Sequence, residues 1–350
     1  MINFSGKNIA CISDIHLGVH QDSQQWHNIA IQFAEWLNQT LKERDIDDII
    51  IAGDIFHNRH EIGVNTIHTA HNFFNILKDY NIVAITGNHD CYYKDKSDIN
   101  SVTILNNKNI QVFHELVTTK YRNKIITFCP WGVSVQNIPN SDILIGHFEI
   151  TNFRMNSHKI CDHGIPTESL LDKASLIISG HFHYREQRKY SNGQTILYLG
   201  SPYELDFGDR EQTKGVSILN VETQEIEFIE NNITPKHHKI LLSDLLCKKI
   251  SNIPEYINNN IISLCFDQKL TLQQVDELIA KIQQHKPLQF RTEYNILETE
   301  NLVDDGVEQL SLDVETAIHE FVDLLQVDVE KKLILDKCLD LYRVSLTNNE

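Results

Sequence analysis

The chain has 350 residues, 41% of them hydrophobic, and a formal net charge of −17 from 31 basic and 48 acidic side chains. No apolar run reaches the eighteen or so residues a membrane-spanning helix needs, and the first apolar stretch, four residues after a single lysine, is too short for a secretory signal. Seven cysteines without a Cys-x-x-Cys pair point to reduced thiols in a cytoplasm, and the acidity excludes a grip on nucleic acid by bulk charge, leaving bound cations, a local basic patch or a partner.

Five apolar runs end in polar residues with metal-binding chemistry. "NIACISDIH" closes on Asp14 and His16, "DDIIIAGDIFH" on Asp54 and His57, "NIVAITGNHD" on Asn88, His89 and Asp90, "DILIGHFE" on His147, and "SLIISGHFH" on His181 and His183. Runs rich in Ile and Val with little alternation are expected of strands covered on both faces. Between the first two runs, Trp26, Ile29, Ile31, Phe33, Trp36, Leu37 and Leu41 fall near helical spacing. Between the second and third, Ile67, Ala70, Phe73, Phe74 and Leu77 do the same. Alternating strand and helix makes a layered α/β fold, whose ligands bind beyond the strand carboxyl ends.

After residue 190 the pattern changes to short alternating strands, "TILYLGSPYELDFGD", "GVSILNVE" and "IEFIE", which read as a second, antiparallel-leaning sheet or, for most of them, simply as strands that close the sandwich. "NNITPKHHK", with Pro235, reads as a linker. "IISLCFD", "TLQQVDELIAKIQQH" and "LQFRTEYNI" then read as strand, helix, strand, with Thr271 and Gln274 as a capping box. Beyond the break "ETENLVDDG" come two helical stripes, Val314, Ala317, Ile318, Phe321 and Leu325, then Val329, Leu333, Leu339 and Tyr342. A pair this short cannot bury both stripes alone. Residues 301–350 also carry twelve acidic against four basic side chains. There is no internal repeat and no nucleotide-binding phosphate loop, so ATP chemistry would need another chain.

Taken singly, Asp14 or Asp54 could cap a helix, Asn88 could make a turn and His147 could be a satisfied interior histidine. The complete set at equivalent strand ends is what points to a dinuclear metal centre. Two cations acting on a phosphoryl group need a bridging ligand, and a carboxylate suits that task. Asp54 is the candidate bridge, with Asp14, His16 and His183 on one ion and Asn88, His147 and His181 on the other. Nitrogen and oxygen donors without a thiolate favour manganese, iron or zinc. Gly53, Gly87, Gly146 and Gly180 precede four of the clusters, where the lack of a Cβ permits close backbone approach. His20, His27, His60, His68, His71, His158, His163, His237 and His238 lack such placement and read as surface or packing residues.

The ordered set "SDIHLG", "GDIFH", "GNHD", "GHFE" and "GHFH" resembles the signature of calcineurin-like metallophosphoesterases over about residues 8 to 185. "GDIFH" and "YLGSPYELDFGD" look like the SbcD-type nucleases, and the size and terminal elements look like the family of T-even-phage recombination endonuclease subunits. The resemblance implies a four-layer α-β-β-α sandwich over residues 1–235, a small α/β capping domain over 236–297, and a C-terminal helical hairpin over 298–350 that binds an SMC-like ABC ATPase. It further implies a DNA exonuclease with endonuclease capacity in recombination and repair, using two divalent ions, Mn2+ foremost, in the cytoplasm of the host cell. His89 would protonate the leaving 3′-oxygen, Asp90 would orient the His89 ring, His57 would position the scissile phosphate, and Ser201 would shape the rim. The family also suggests a homodimer through the helices after the first strands. A phosphatase or nucleotide phosphodiesterase on small substrates, and a metal-free scaffold, are the rival readings.

Overall fold

A computed structural model describes residues 2–294 apart from 248, 251 and 269, together with 318, 322 and 331–347. In β1 (Asn8–Ile12) successive side chains serve opposite faces. Ile9 and Cys11 enter one apolar cluster, Ala10 and Ile12 another. β2 (Asp48–Ile51) repeats this, Ile50 going to the first cluster and Ile49 and Ile51 to the second. A strand apolar on both faces must be covered on both, which is why these runs do not alternate with polar residues.

β1 and β2 pair in parallel with each other, and β2 with β3 (Asn81–Ile85) and β3 with β4 (Ile110–Phe113) in the same sense. β11 (Gly215–Asn220) and β12 (Ile226–Glu230) extend that sheet antiparallel, giving the order β12-β11-β1-β2-β3-β4. The second sheet runs β5-β6-β7-β8-β10-β9, built from β5 (Val117–Tyr121), β6 (Lys124–Cys129), β7 (Ser141–His147), β8 (Ala174–Gly180), β9 (Glu186–Lys189) and β10 (Thr195–Tyr198). The two sheets close on each other over Ile50, Val83, Ile145 and Ile178. Outside the first lie the helices Gln24–Lys42 and Val64–Ile76; outside the second lie the short helix Thr167–Leu171 and the segments around Phe148 and Phe153. This is the expected α-β-β-α layering.

Of the two readings of the strands after residue 190, the second holds: they close the sandwich rather than build a sheet of their own. β10 is buried and joins β8 in parallel, whereas β11 and β12 join the first sheet. Ile67 also leaves its helical stripe and is 47% exposed, because Thr66 and Thr69 take the buried positions of that helix. In the preceding helix Ile31 and Trp36 are only partly buried, while Phe33, Leu37 and Leu41 are fully so.

The segment taken as a linker contains a strand, β13 (His237–Leu241), parallel to β14 (Ile261–Phe266), which is parallel to β15 (Gln289–Tyr294). The helix Leu272–Gln284 begins at the expected capping box, where Thr271 Oγ1 accepts from the Gln274 amide and Gln274 Oε1 accepts from the Thr271 amide at 3.0 Å. The chain divides into compact units at residues 1–296 and 297–350. In the second, Val314, Ala317, Phe321, Leu325 and Val329 lie outside the described residues. A helix spans Lys331–Thr347 with Leu333 exposed. No helix among the described residues is long and apolar enough to cross a membrane.

Phe33 is fully buried against Tyr203, with ring centroids 5.7 Å apart. Phe33→Ala should therefore lower stability by about 3–5 kcal/mol, read as a shift in the urea midpoint without loss of secondary structure.

Candidate metal centre

Pairing between β1 and β2 does not stop where the strands end. Ala52 N–H donates to Ile12 O at 2.9 Å, Asp14 N–H to Gly53 O at 3.1 Å, His16 N–H to Asp54 O at 3.1 Å and Leu17 N–H to Ile55 O at 2.8 Å. Within this extension Asp14, His16 and Asp54 take left-handed backbone torsions, with φ of 56°, 51° and 53°, as does His181 at 89° after β8. Left-handed L-residues each cost about 1–2 kcal/mol, and strain of this kind persists only where surrounding structure over-determines it. The bent backbone turns these side chains off the sheet faces and toward the carboxyl edge.

At that edge the seven expected ligands meet. Ligand atoms of Asp14, His16 and His183 lie within 4.8 Å of one another, as do those of Asp54, His147 and His181. Asn88 joins the second group, its Oδ1 being 3.0 Å from His147 Nε2 and 2.8 Å from His181 Nδ1. Asp54 Oδ2 faces both groups, 3.3 Å from His147 Nε2 and 3.7 Å from His16 Nε2. Gly87 makes room for this: a Cβ there would overlap the Asp54 carboxylate and amide.

The donor chemistry fits a cation. His147 Nδ1 donates to Ala52 O at 2.7 Å, which leaves the Nε2 lone pair aimed at two oxygen acceptors, Asn88 Oδ1 and Asp54 Oδ2. On the other side His16 Nε2 and His183 Nε2 face each other at 3.0 Å. Electron-rich atoms gathered this way repel unless a proton or a metal ion lies among them. The electrostatics carry that signature. Burial alone would push the His147 imidazole down, but Asp54 outweighs it and pushes it up to about 9. Burial likewise opposes ionised Asp54, yet His147 and His16 hold its carboxyl well below the usual range. Burial holds His16 and His181 below the ordinary imidazole value, which leaves them with lone pairs to donate.

His89 and His57 flank the ligands. His89 Nδ1 donates to the His57 carbonyl at 2.7 Å, and its ring meets His16 edge-on at 4.8 Å and stacks on His57 at 5.3 Å. Burial, then the charge of His89, push His57 down to about 4. Asp90 does not orient the His89 ring as expected. Its carboxylate instead accepts from the amides of Ile55 and Phe56 at 3.0 Å and Gly87 at 2.9 Å, pinning two ligand loops together. Where a strand turns into a loop, neighbouring side chains diverge, so adjacency in sequence misleads.

Several partners were missed. The Trp131 ring tilts over His181 at 5.1 Å and approaches His147 edge-on at 5.9 Å. Glu149 Oε1 is 3.9 Å from His181 Nε2. Lys214 Nζ donates to His183 O at 2.7 Å, Ser201 Oγ at 2.8 Å and Asp209 Oδ1 at 3.0 Å, and Asp209 Oδ2 is 4.0 Å from His183 Nδ1. Ser201 is thus a buried anchor rather than a rim residue. The only sequence signal for Lys214 was its place shortly after the quoted "DFGD". Two histidines set aside also approach the site. His20 shares with His16, His57 and His183 a cleft of about 360 Å³, and His163 lies with Glu149 and Cys161.

The sequence profile of the calcineurin-like phosphoesterases matches residues 7–185. The chain belongs to this family. It is a phosphoesterase of the metal-dependent kind, and the family implies divalent metal ions at the donor cluster described above. This phosphoesterase is 30% identical to exonuclease subunit 1 of Enterobacteria phage T4 over 235 residues, spanning 64% of the present chain and 67% of that protein. Among solved structures, nuclease MPE of Pseudomonas putida shares 17% identity at a TM-score of 0.31, over 63% of this chain and 87% of that one. A dimetal phosphatase of Danio rerio shares 8% at 0.38, over 61% and 92%.

Lys214 and Asp209 are both almost fully buried. Lys214→Met strands the Asp209 charge, so the variant should lose about 3–5 kcal/mol of stability by urea unfolding.

Proposed function

We propose that the phosphoesterase is a DNA nuclease, an exonuclease with endonuclease capacity, in which Asp14, His16 and His183 hold one divalent ion, Asn88, His147 and His181 a second, and Asp54 both. The observation that carries this reading is Asp54 Oδ2 lying 3.3 Å and 3.7 Å from imidazole nitrogens of the two groups. Divalent cations at such a site supply positive charge for the charge developing on a phosphodiester and activate water as the nucleophile. The nitrogen- and oxygen-only donor set suits manganese, iron or zinc, and manganese is the metal taken for this reading.

The remaining work falls to the chain itself. With its Nδ1–H fixed on the His57 carbonyl, His89 has Nε2 left to carry the proton that passes to the departing 3′-oxygen. His57, stacked on His89 and facing the cleft, positions the scissile phosphate. Asp90 acts from behind as a positioning residue, holding the Asp54 and Asn88 loops in register.

The wider assignment extends the same reading. Residues 1–235 form the nuclease domain, 236–297 a cap over the substrate, and 298–350 a helical segment that docks on an SMC-like ATPase, with a homodimer as a further assembly and the host cytoplasm as the site of action. The likeness to a phage exonuclease subunit supports the complex, and the seven free cysteines suit a reducing compartment. The net charge of −17 implies weak DNA affinity for the chain alone, with the partner adding the positive field.

Two variants test the division of roles. His89→Ala should keep its metal content by elemental analysis and lose at least about 100-fold in plasmid degradation with manganese, the scale of a lost general acid. Asp54→Ala should lose the metal itself; wild-type degradation by either variant contradicts the assignment. Wild-type protein that hydrolyses a mononucleotide ester but not plasmid DNA would place it among small-substrate phosphodiesterases instead.

A further inference from the structure

The loop that follows His89 and Asp90 reads "CYYKDK", Cys91 to Lys96, and no role has been given to its two tyrosines. Tyr92 and Tyr93 are 47% and 46% exposed, unusual for adjacent large aromatic rings. Their backbone is fixed nonetheless. Tyr92 N–H donates to Ile99 O and Ser101 N–H to Asp90 O, both at 2.9 Å, and the Trp131 indole N–H donates to Lys94 O at 2.7 Å. Trp131 in turn packs on His181 and His147, so the loop is braced directly against the metal donors. On the other flank Tyr92 meets His60 edge-on at 5.7 Å, three residues beyond His57. Tyr92 and Tyr93 stand at 89° to each other, 5.0 Å apart, so each ring presents a face in a different direction.

Arg59, Lys94 and Lys96, near the rings in sequence, form no ion pair among the described residues. With Glu61, Asp95 and Asp98 in the same two stretches, these segments balance three acidic against three basic side chains within a chain of net −17. Resting on the nuclease reading above, we infer that Tyr92 and Tyr93 are a stacking platform for unpaired bases beside the scissile phosphate, which makes the preferred substrate a single strand or a frayed end. Every base has a π-face, so such a platform is sequence-tolerant. In an intact duplex those faces are covered by neighbouring base pairs. A protein partner on the same patch is the competing occupant.

The test uses the full chain with manganese and three substrates: a mixed-sequence single strand, the same sequence as a blunt duplex, and bis(4-nitrophenyl) phosphate. The platform predicts that Y92L/Y93L lowers the ratio of kcat/KM on the single strand to that on the small ester by about 10-fold, through KM, and lowers the duplex ratio much less. Y92F/Y93F should keep the wild-type ratios, since the ring faces remain. Unchanged ratios in the leucine variant overturn the inference and favour the protein-docking patch, and an equal loss in the phenylalanine variant overturns it in favour of the hydroxyls. Wild-type protein that cleaves the ester and neither oligonucleotide contradicts the nuclease reading itself, a signature distinct from either.

Discussion

The site depends on one constraint: the carboxylate of Asp54 must sit, ionised and buried, between two groups of imidazoles. An isolated carboxylate in such a place would neutralise, because burial opposes its charge. It stays ionised through His147 and His16. Every nearby feature can be understood as holding those groups in register. The continued pairing of β1 and β2 carries Asp14 and His16 alongside Asp54, Gly87 leaves the space the carboxylate fills, and Asp90 ties the Asp54 and Asn88 loops from behind.

This arrangement is costly in backbone energy. Asp14, His16, Asp54 and His181 all adopt left-handed torsions, which L-residues avoid outside turns. The cost is offset by the sandwich, whose three apolar clusters between four layers fix the strand ends rigidly enough that the bent residues have no relaxed alternative. Stability from the core is in effect spent on aiming polar side chains, a trade common at functional sites.

The strand ends were legible because each combines two signals, an uninterrupted apolar run and a sudden Asp, Asn or His. That was enough to name the residues that Asp54 and its neighbours bring together. What sequence could not supply was long-range pairing. "HHKIL" hides β13, since two histidines after a proline mimic a linker until their parallel partner β14 is known. "TILY" and "GVSILN" look alike but belong to different sheets. Asp90 seemed a partner for His89 because it is adjacent, whereas three amides from Ile55, Phe56 and Gly87 claim it. Trp131 and Lys214 are not themselves metal-binding residue types, so only contact with His181 and His183 reveals them.

The central claim is that Asp54 is shared by two ions. Crystals of the full chain soaked in manganese, with data collected at the metal absorption edge, test it most directly. The account predicts two anomalous peaks, one among Asp14, His16 and His183, the other among Asn88, His147 and His181, with Asp54 Oδ2 contacting both. A single peak, or peaks that leave Asp54 uncoordinated, would contradict it.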